Sequence, residues 1–233
     1  MLRDVDLKDI SDGKLYDIGD MAKLGVDDCS GCHACCCGMG DSITLDPYDV
    51  FRLEKGLGKT FEELLSENLE LRVADGIILP CLKMMSGKSQ NQTGRNEERS
   101  ISDKESCTFL NDAGRCSIHP FRPGICRLFP LGRIFENNTH RYFLQVNECH
   151  KERQTKIKIK KWIDTPELGR YEAYIDKWHY FIKNISDKAE DMPEVELKAV
   201  NMQILQNFFI APYDINSDFY EQFYGRLEAV ACR

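Results

Sequence analysis

Five cysteines fall within nine residues, in the run CSGCHACCC from Cys29 to Cys37. Thiols at that density must be bridged, buried or ligated, and each option asks for a different fold. Disulfide scaffolds belong to secreted chains in oxidising compartments. Here the N-terminus, MLRDVDLKDI, alternates charge with apolar residues and lacks the apolar stretch of a signal peptide. The chain carries 11 cysteines, an odd number, and consecutive cysteines have poor geometry for bridging one another. Burial as small hydrophobes suits an isolated thiol such as Cys232, but Ser30, Gly31 and His33 do not read as core. Metal ligation is the favoured reading. Cys29 and Cys32 form a C-x-x-C knuckle in which Ser30 and Gly31 let the chain turn, so that both sulfurs face one ion. Thiolates are soft ligands, which points to zinc or an iron–sulfur cluster and away from magnesium and calcium.

The remaining cysteines are Cys81, Cys107, Cys116, Cys126 and Cys149. Residues 107–118 carry turn formers at Asn111, Asp112 and Gly114, which predicts a hairpin bringing Cys107 near Cys116. Two more hairpins are predicted, over 69–80 around Asp75-Gly76 and over 133–146 around Asn137-Asn138. Asp46-Pro47 reads as the start of a helix closed by Gly56 and Gly58, and Thr60 with Glu63 as the capping box of a second. Residues 86–106 hold one aliphatic residue, Ile101, and read as an exposed loop. From 165 onward the apolar residues recur at helical spacing in three segments: one after Thr165-Pro166, one from about Pro193, and one capped by Ser217. The expected fold is α+β. A small cysteine-rich, metal-nucleated domain with short hairpins and short helices (1–150) is followed by a helical C-terminal extension packed on it (151–233).

Hydrophobic residues make up 42% of the 233, enough to bury a core, and no apolar run approaches the roughly 20 residues of a membrane helix. The net charge of −7 argues against a general nucleic-acid binder. A soluble cytoplasmic protein with no membrane partner is expected.

The cysteine pattern resembles a known family. Cys29-x2-Cys32-x3-Cys36-Cys37 is similar to its first motif. Cys107-x-Phe109-Leu110, Gly114-x-Cys116-x-Ile118 and Arg122-Pro123-x2-Cys126-Arg127-x-Phe129-Pro130 are similar to its second. This is the YkgJ-type cysteine-cluster family, described as a zinc- or iron-chelating domain and related to the cysteine cluster of flagellin lysine-N-methylases. The likeness covers residues 29–149. It implies the metal ligands Cys29, Cys32, Cys36, Cys37, Cys107, Cys116 and Cys126, with Cys149 closing the set. Cys35 and Cys81 fall outside the motifs, as bystanders or as replacements for Cys149. His119 stands where the family commonly has an aromatic residue and reads as a packing residue or as one that backs a ligand. His33 and His150 adjoin cysteines and are open to either role.

Seven or eight thiolates exceed the four that one structural zinc takes, so two sites, or one cluster plus a further site, fit the count. Ligation by cysteine alone favours an iron–sulfur cluster, of the 4Fe–4S kind, over zinc. Arg115, Arg122, Arg127 and Arg133 flank the second cysteine set and are candidates to offset its negative charge; ordinary surface ion pairing is the alternative for Arg122 and Arg127.

Three functions follow. The first is a metal-binding protein with no catalytic apparatus of its own, serving as a structural, redox or metal-passing component for a protein or redox partner. The second is a lysine methyltransferase-like or accessory enzyme of the flagellin N-methylase type, although no Gly-rich loop lies between a strand and a helix. The third is an interaction module using the basic stretch 151–161, for which a solvated, edge-protecting strand is the plain alternative.

Overall fold

The computed structural model describes residues 7–25, 32–85, 105–149 and 155–231. Cys29, His150 and Cys232 lie outside them. The first described elements are one helical turn, α1 (Leu7–Ile10), and strand β1 (Met21–Gly25). Helix α2 (Pro47–Leu57) is held by a reciprocal cap: Asp46 accepts from the Asp49 amide, and Asp49 accepts from the Asp46 amide. It runs through Gly56 and stops at Gly58, whose φ of 66° a side chain would disfavour. Gly56 is glycine for a tertiary reason, since a Cβ there would lie 2.6 Å from the Phe121 ring. Thr60 and Glu63 form the expected capping box on α3 (Phe61–Glu67).

Strands β2 (Leu69–Ala74) and β3 (Ile77–Leu82) pair around Asp75-Gly76, both at positive φ as a two-residue hairpin turn requires. Strand β4 (Met84–Met85) meets β5 (Ser106–Cys107); most of the expected 86–106 loop lies outside the described residues. The 107–118 hairpin is reduced to one bridge, Leu110 to Cys116, because Cys107 spends its ladder position on Met84. A short helix, α4 (Gly124–Leu128), follows. Strands β6 (Leu131–Glu136) and β7 (Thr139–Leu144) turn at Asn137-Asn138 as expected. Strand β8 (Thr155–Lys158) returns to pair with β1, and α5 (Ile159–Ile163) continues from it.

The tail is helical: α6 (Leu168–Ala189), α7 (Glu194–Leu205) with a π turn over Gln206–Ile210, and α8 (Phe219–Ala231). Asp218, not Ser217, caps α8. Its Oδ1 accepts from the Glu221 amide at 2.8 Å, while the Ser217 hydroxyl is turned back to Asp214. Every sheet among the described residues is one antiparallel pair, and no helix among them is long and apolar enough to cross a membrane. The fold is α+β with a C-terminal helical tail.

The tail packs on the first half through rings. Tyr171, Tyr174 and Trp178 of α6 are buried. Tyr48 of α2 lies 5.6 Å from Tyr171 and 4.9 Å from Phe219 of α8 between ring centroids, and Tyr174 meets Phe223 at 4.6 Å. Such pairs add to the area they bury. Asn201 of α7, 4% exposed, accepts from the Ile78 amide at 2.6 Å and donates to the Gly76 carbonyl at 3.0 Å, which ties the β2–β3 hairpin to the tail.

Candidate metal centre

The first cysteine turn is short and closed by its own backbone. Residues Ala34–Cys36 form a 3-10 turn in which the Cys36 amide donates to the His33 carbonyl at 2.8 Å. Cys37 then bridges to Ser106, and the Gly38 amide donates to the Glu105 carbonyl at 2.7 Å. These contacts set the turn against β5, where Cys107 is the next residue. The second turn is made by Asn111, whose Oδ1 accepts from the amides of Ala113 at 3.1 Å and Arg115 at 2.9 Å. It brings Cys116 back beside Leu110. Gly114 lets the two turns close: the His33 ring lies over it, 3.2 Å from where a Cβ would stand. Cys126 comes from α4, which is anchored by the Gly124 amide donating to Asp49 Oδ1 at 2.7 Å.

Five thiols from these elements lie within one another's field: Cys35, Cys36, Cys107, Cys116 and Cys126. The Cys36 thiol donates to Cys35. That bond, opposed by burial and helped by the Arg122 guanidinium, holds Cys35 down at about 6; the same bond pushes Cys36 up, and there burial adds to it. Burial raises Cys107 to about 11, with the charges of Cys116, Cys37 and Cys35 adding to it. Burial likewise raises Cys126, where Asp49, Cys107, Cys35 and Cys116 add, and Cys116, where Arg122 opposes. Thiols that resist ionisation by crowding one another become good ligands when a cation enters their midst, because the cation reverses the sign of the local field.

Of the ligand set the sequence implies, Cys36, Cys107, Cys116 and Cys126 come together, with Cys37 beside Cys107. Cys29 lies outside the described residues. Cys32 is half-buried immediately before the first turn. Cys149 is half-buried beyond β7, in a segment where the Val146 amide donates to the Ile10 carbonyl, the Gln145 amide donates to the Pro130 carbonyl, and Gln145 bridges to Ser11. Cys81 is 1% exposed and turns to Thr44 Oγ1 at 3.7 Å, among Asp41, Glu70 and Arg72. Cys35, outside the motif as first aligned, stands with the other thiols.

The arginines divide. Arg122 acts on Cys35 and Cys116 and is steadied by His119, whose Nε2 lies 2.8 Å from its Nη1. Arg127, 3% exposed, is turned away from the sulfurs, its guanidinium carbon 5.4 Å from the centre of the Tyr171 ring. Arg133 lies 5.7 Å from the Tyr171 and Tyr142 rings. Arg127 and Arg133 sit near Asp46, and Arg127 near Asp49, in the seam between the halves.

Residues 28–149, more than half of the chain, match a family named CxxCxxCC and described as a "putative zinc- or iron-chelating domain". The chain belongs to the CxxCxxCC family. No curated protein and no solved structure matches it. The family's printed signature spells Cys29-x2-Cys32-x2-Cys35-Cys36 here, one residue earlier than the Cys36-Cys37 alignment. Three consecutive cysteines admit both alignments: Cys35 acts on Cys36, Cys107, Cys116 and Cys126, and Cys37 acts on Cys107.

By donor chemistry the residues fit zinc or iron. As placed, no group of three or more His, Cys, Asp or Glu side chains among the described residues surrounds one point closely enough to hold an ion. Protonated thiols pair by hydrogen bonds, as Cys36 does with Cys35, and gather on a common centre when a cation replaces their protons.

Proposed function

We propose that this protein binds iron or zinc through Cys29, Cys32, Cys35, Cys36, Cys107, Cys116 and Cys126, an iron–sulfur cluster being favoured, and that it acts as a structural, redox or metal-passing component. Cys37 and Cys149 are reserve ligands of a second site. What supports this reading is that thiols from three separate elements, the 33–37 turn, the 107–116 segment and α4, lie within one another's field, two of them, Cys35 and Cys116, also within that of Arg122. Four thiolates on one divalent ion leave an excess of negative charge, and Arg122 is placed to offset part of it. When bound, iron in a cluster supplies one-electron chemistry, and zinc supplies a rigid crosslink. The chain's own part is to hold the sulfurs, limit solvent through Phe109 and Ile118 (6% and 1% exposed), and balance charge.

Anaerobic purification, elemental analysis and a visible spectrum test the proposal. Iron with matching acid-labile sulfide is the expected result. Zinc in a colourless protein would make the centre structural. A folded, metal-free protein after growth with both metals would overturn the reading.

A further inference from the structure

Strands β1 and β8 form an isolated two-stranded ribbon. Ala22 faces inward, and its partner Ile157 shares that face. The outward face carries Met21, Lys23, Lys156 and Lys158, and Lys160 and Lys161 of α5 follow, also exposed. The register sets Lys23 directly opposite Lys156 and Lys158 opposite Met21, which is 50% exposed. Like charges facing each other across a ladder cost stability. Edge protection explains a lysine on either strand; it does not explain two in one cross-strand pair. Among the described residues none of the five lysines has an ion-pair partner. The neighbouring acid, Asp20, accepts from the Asp17 amide. All this occurs on a chain whose net charge is −7.

The ribbon is joined to the cysteine centre at both ends. Strand β1 ends at Gly25, four positions before Cys29. Helix α5 packs on α4, the helix of Cys126, and Trp162 Nε1 donates to the Phe129 carbonyl at 3.1 Å. Beside the Cys37–Ser106 bridge lies a hollow of about 280 Å³ lined by Asp41, Glu70 and Glu105, with Arg72 paired to Glu70 at 3.0 Å. The hollow's carboxylates repel a negatively charged partner, whereas the lysines attract one. Among the described residues the exposed positions of β1 and β8 carry no aromatic side chain on which a base could stack, and lysine, unlike arginine, makes no forked contact with a base edge.

We infer that the β1–β8 lysine face is the docking surface for an acidic protein that works with the cysteine centre. Binding to the ribbon does not depend on the metal; that the partner uses the centre rests on the proposed metal site. Weak, salt-sensitive docking of this kind speeds encounter and sets orientation.

The test is fluorescence anisotropy of the purified full chain against three probes: a labelled Asp/Glu-rich peptide, a labelled DNA duplex, and vesicles of phosphatidylcholine with phosphatidylserine. The variant replaces Lys23, Lys156, Lys158 and Lys161 with Gln. The peptide should bind at low salt, weaken as salt rises, and bind the variant about tenfold less tightly. Equal binding by the variant would overturn the inference, as would tighter lysine-dependent binding of the duplex or the vesicles. Metal content of the same preparations is read separately. Lost peptide binding with metal retained is a failure of the docking face; metal-free protein that still binds the peptide is a failure of the metal reading.

Discussion

The cysteine turns and the helical tail meet at Gly124 and are built from different material. On the tail side, Tyr171, Tyr174, Phe208 and Phe223 are less than 2% exposed; Tyr171 and Tyr174 pack ring against ring with Tyr48 of α2, Phe223 on Tyr174, and Phe208 on Phe223. On the cysteine side, Cys32, Cys35, Cys36 and Cys37 are all at least partly exposed, and order comes from one 3-10 turn and two single bridges. The first region can stand on apolar burial, at roughly 25 cal/mol per Å². The second joins that core through Cys107, Phe109, Ile118 and Leu128, while its first turn fixes backbone at about 1–2 kcal/mol per residue with less burial in return. Ligation can supply on the order of 10 kcal/mol. On the proposed metal reading, the boundary between metal-dependent and metal-independent structure is expected to run through the first half, because α2, α3 and the β2–β3 hairpin share their core with the tail.

The largest expected effect breaks the comparison if it fails. Cys107→Ser, or chelation of the native protein, should abolish stoichiometric metal. Amide exchange should then quicken in residues 32–38 and 105–128 by several orders of magnitude, while α2 and α6 keep their protection. Uniform loss of protection, read by hydrogen-exchange mass spectrometry, would mean that the two regions are one cooperative unit.

Asp49 probes the seam. It is 3% exposed and accepts from the Gly124 and Asp46 amides, joining α2 to the helix of Cys126. Burial pushes its carboxyl up to about 7, the Asp46 charge adds, and Arg127 opposes. Asp49→Ala strands two amides and removes an acid beside a buried guanidinium. A loss of about 3 kcal/mol in urea denaturation is expected, together with weaker metal retention. Destabilisation without any effect on metal would show that α4 keeps its place without this anchor.

Asn201→Ala tests the aromatic side alone. The Ile78 amide and Gly76 carbonyl lose their partner at a buried contact, for about 2 kcal/mol. Metal content should not change.

What the sequence made legible was local. Asp46-Pro47, the Thr60–Glu63 box, Asp75-Gly76 and Asn137-Asn138 each act within a few residues, and each fixed an end or a turn where expected. The rest depends on residues far apart in the chain. Asn201 finds Ile78 123 positions away, and Lys23 faces Lys156 only because β8 returns to β1. Helix α4 has five residues opening on Pro123 and Gly124, too short to show a period. The cysteines were legible, by type and density, as the mark of a zinc- or iron-chelating family. Their alignment was not, because in a run of three cysteines the spacing rule is met twice.

The smallest effect sharpens the comparison through pH. Glu54 is half-buried on α2. Burial raises its carboxyl to about 7, opposed by a hydrogen bond from the Phe61 amide, with Glu62 adding to the rise and Arg226 opposing it. The unfolded chain releases this proton near 4.5. Between pH 4.5 and 7 the folded protein therefore holds a proton that the unfolded chain has lost, so stability falls as pH rises across that window, and the full penalty is present above it. Allowing for the solvent that reaches the side chain, the penalty is on the order of 1 kcal/mol. Glu54→Gln keeps an acceptor for the Phe61 amide and removes the charge. It should leave stability nearly unchanged at pH 4 and raise it by about 1 kcal/mol at pH 8, read as the difference in urea midpoint at the two pH values. Glu54 belongs to the aromatic side, so the gain should survive chelation. A gain that disappeared with the metal would place α2 under the control of the cysteine turns and move the boundary between the two regions to the far side of that helix.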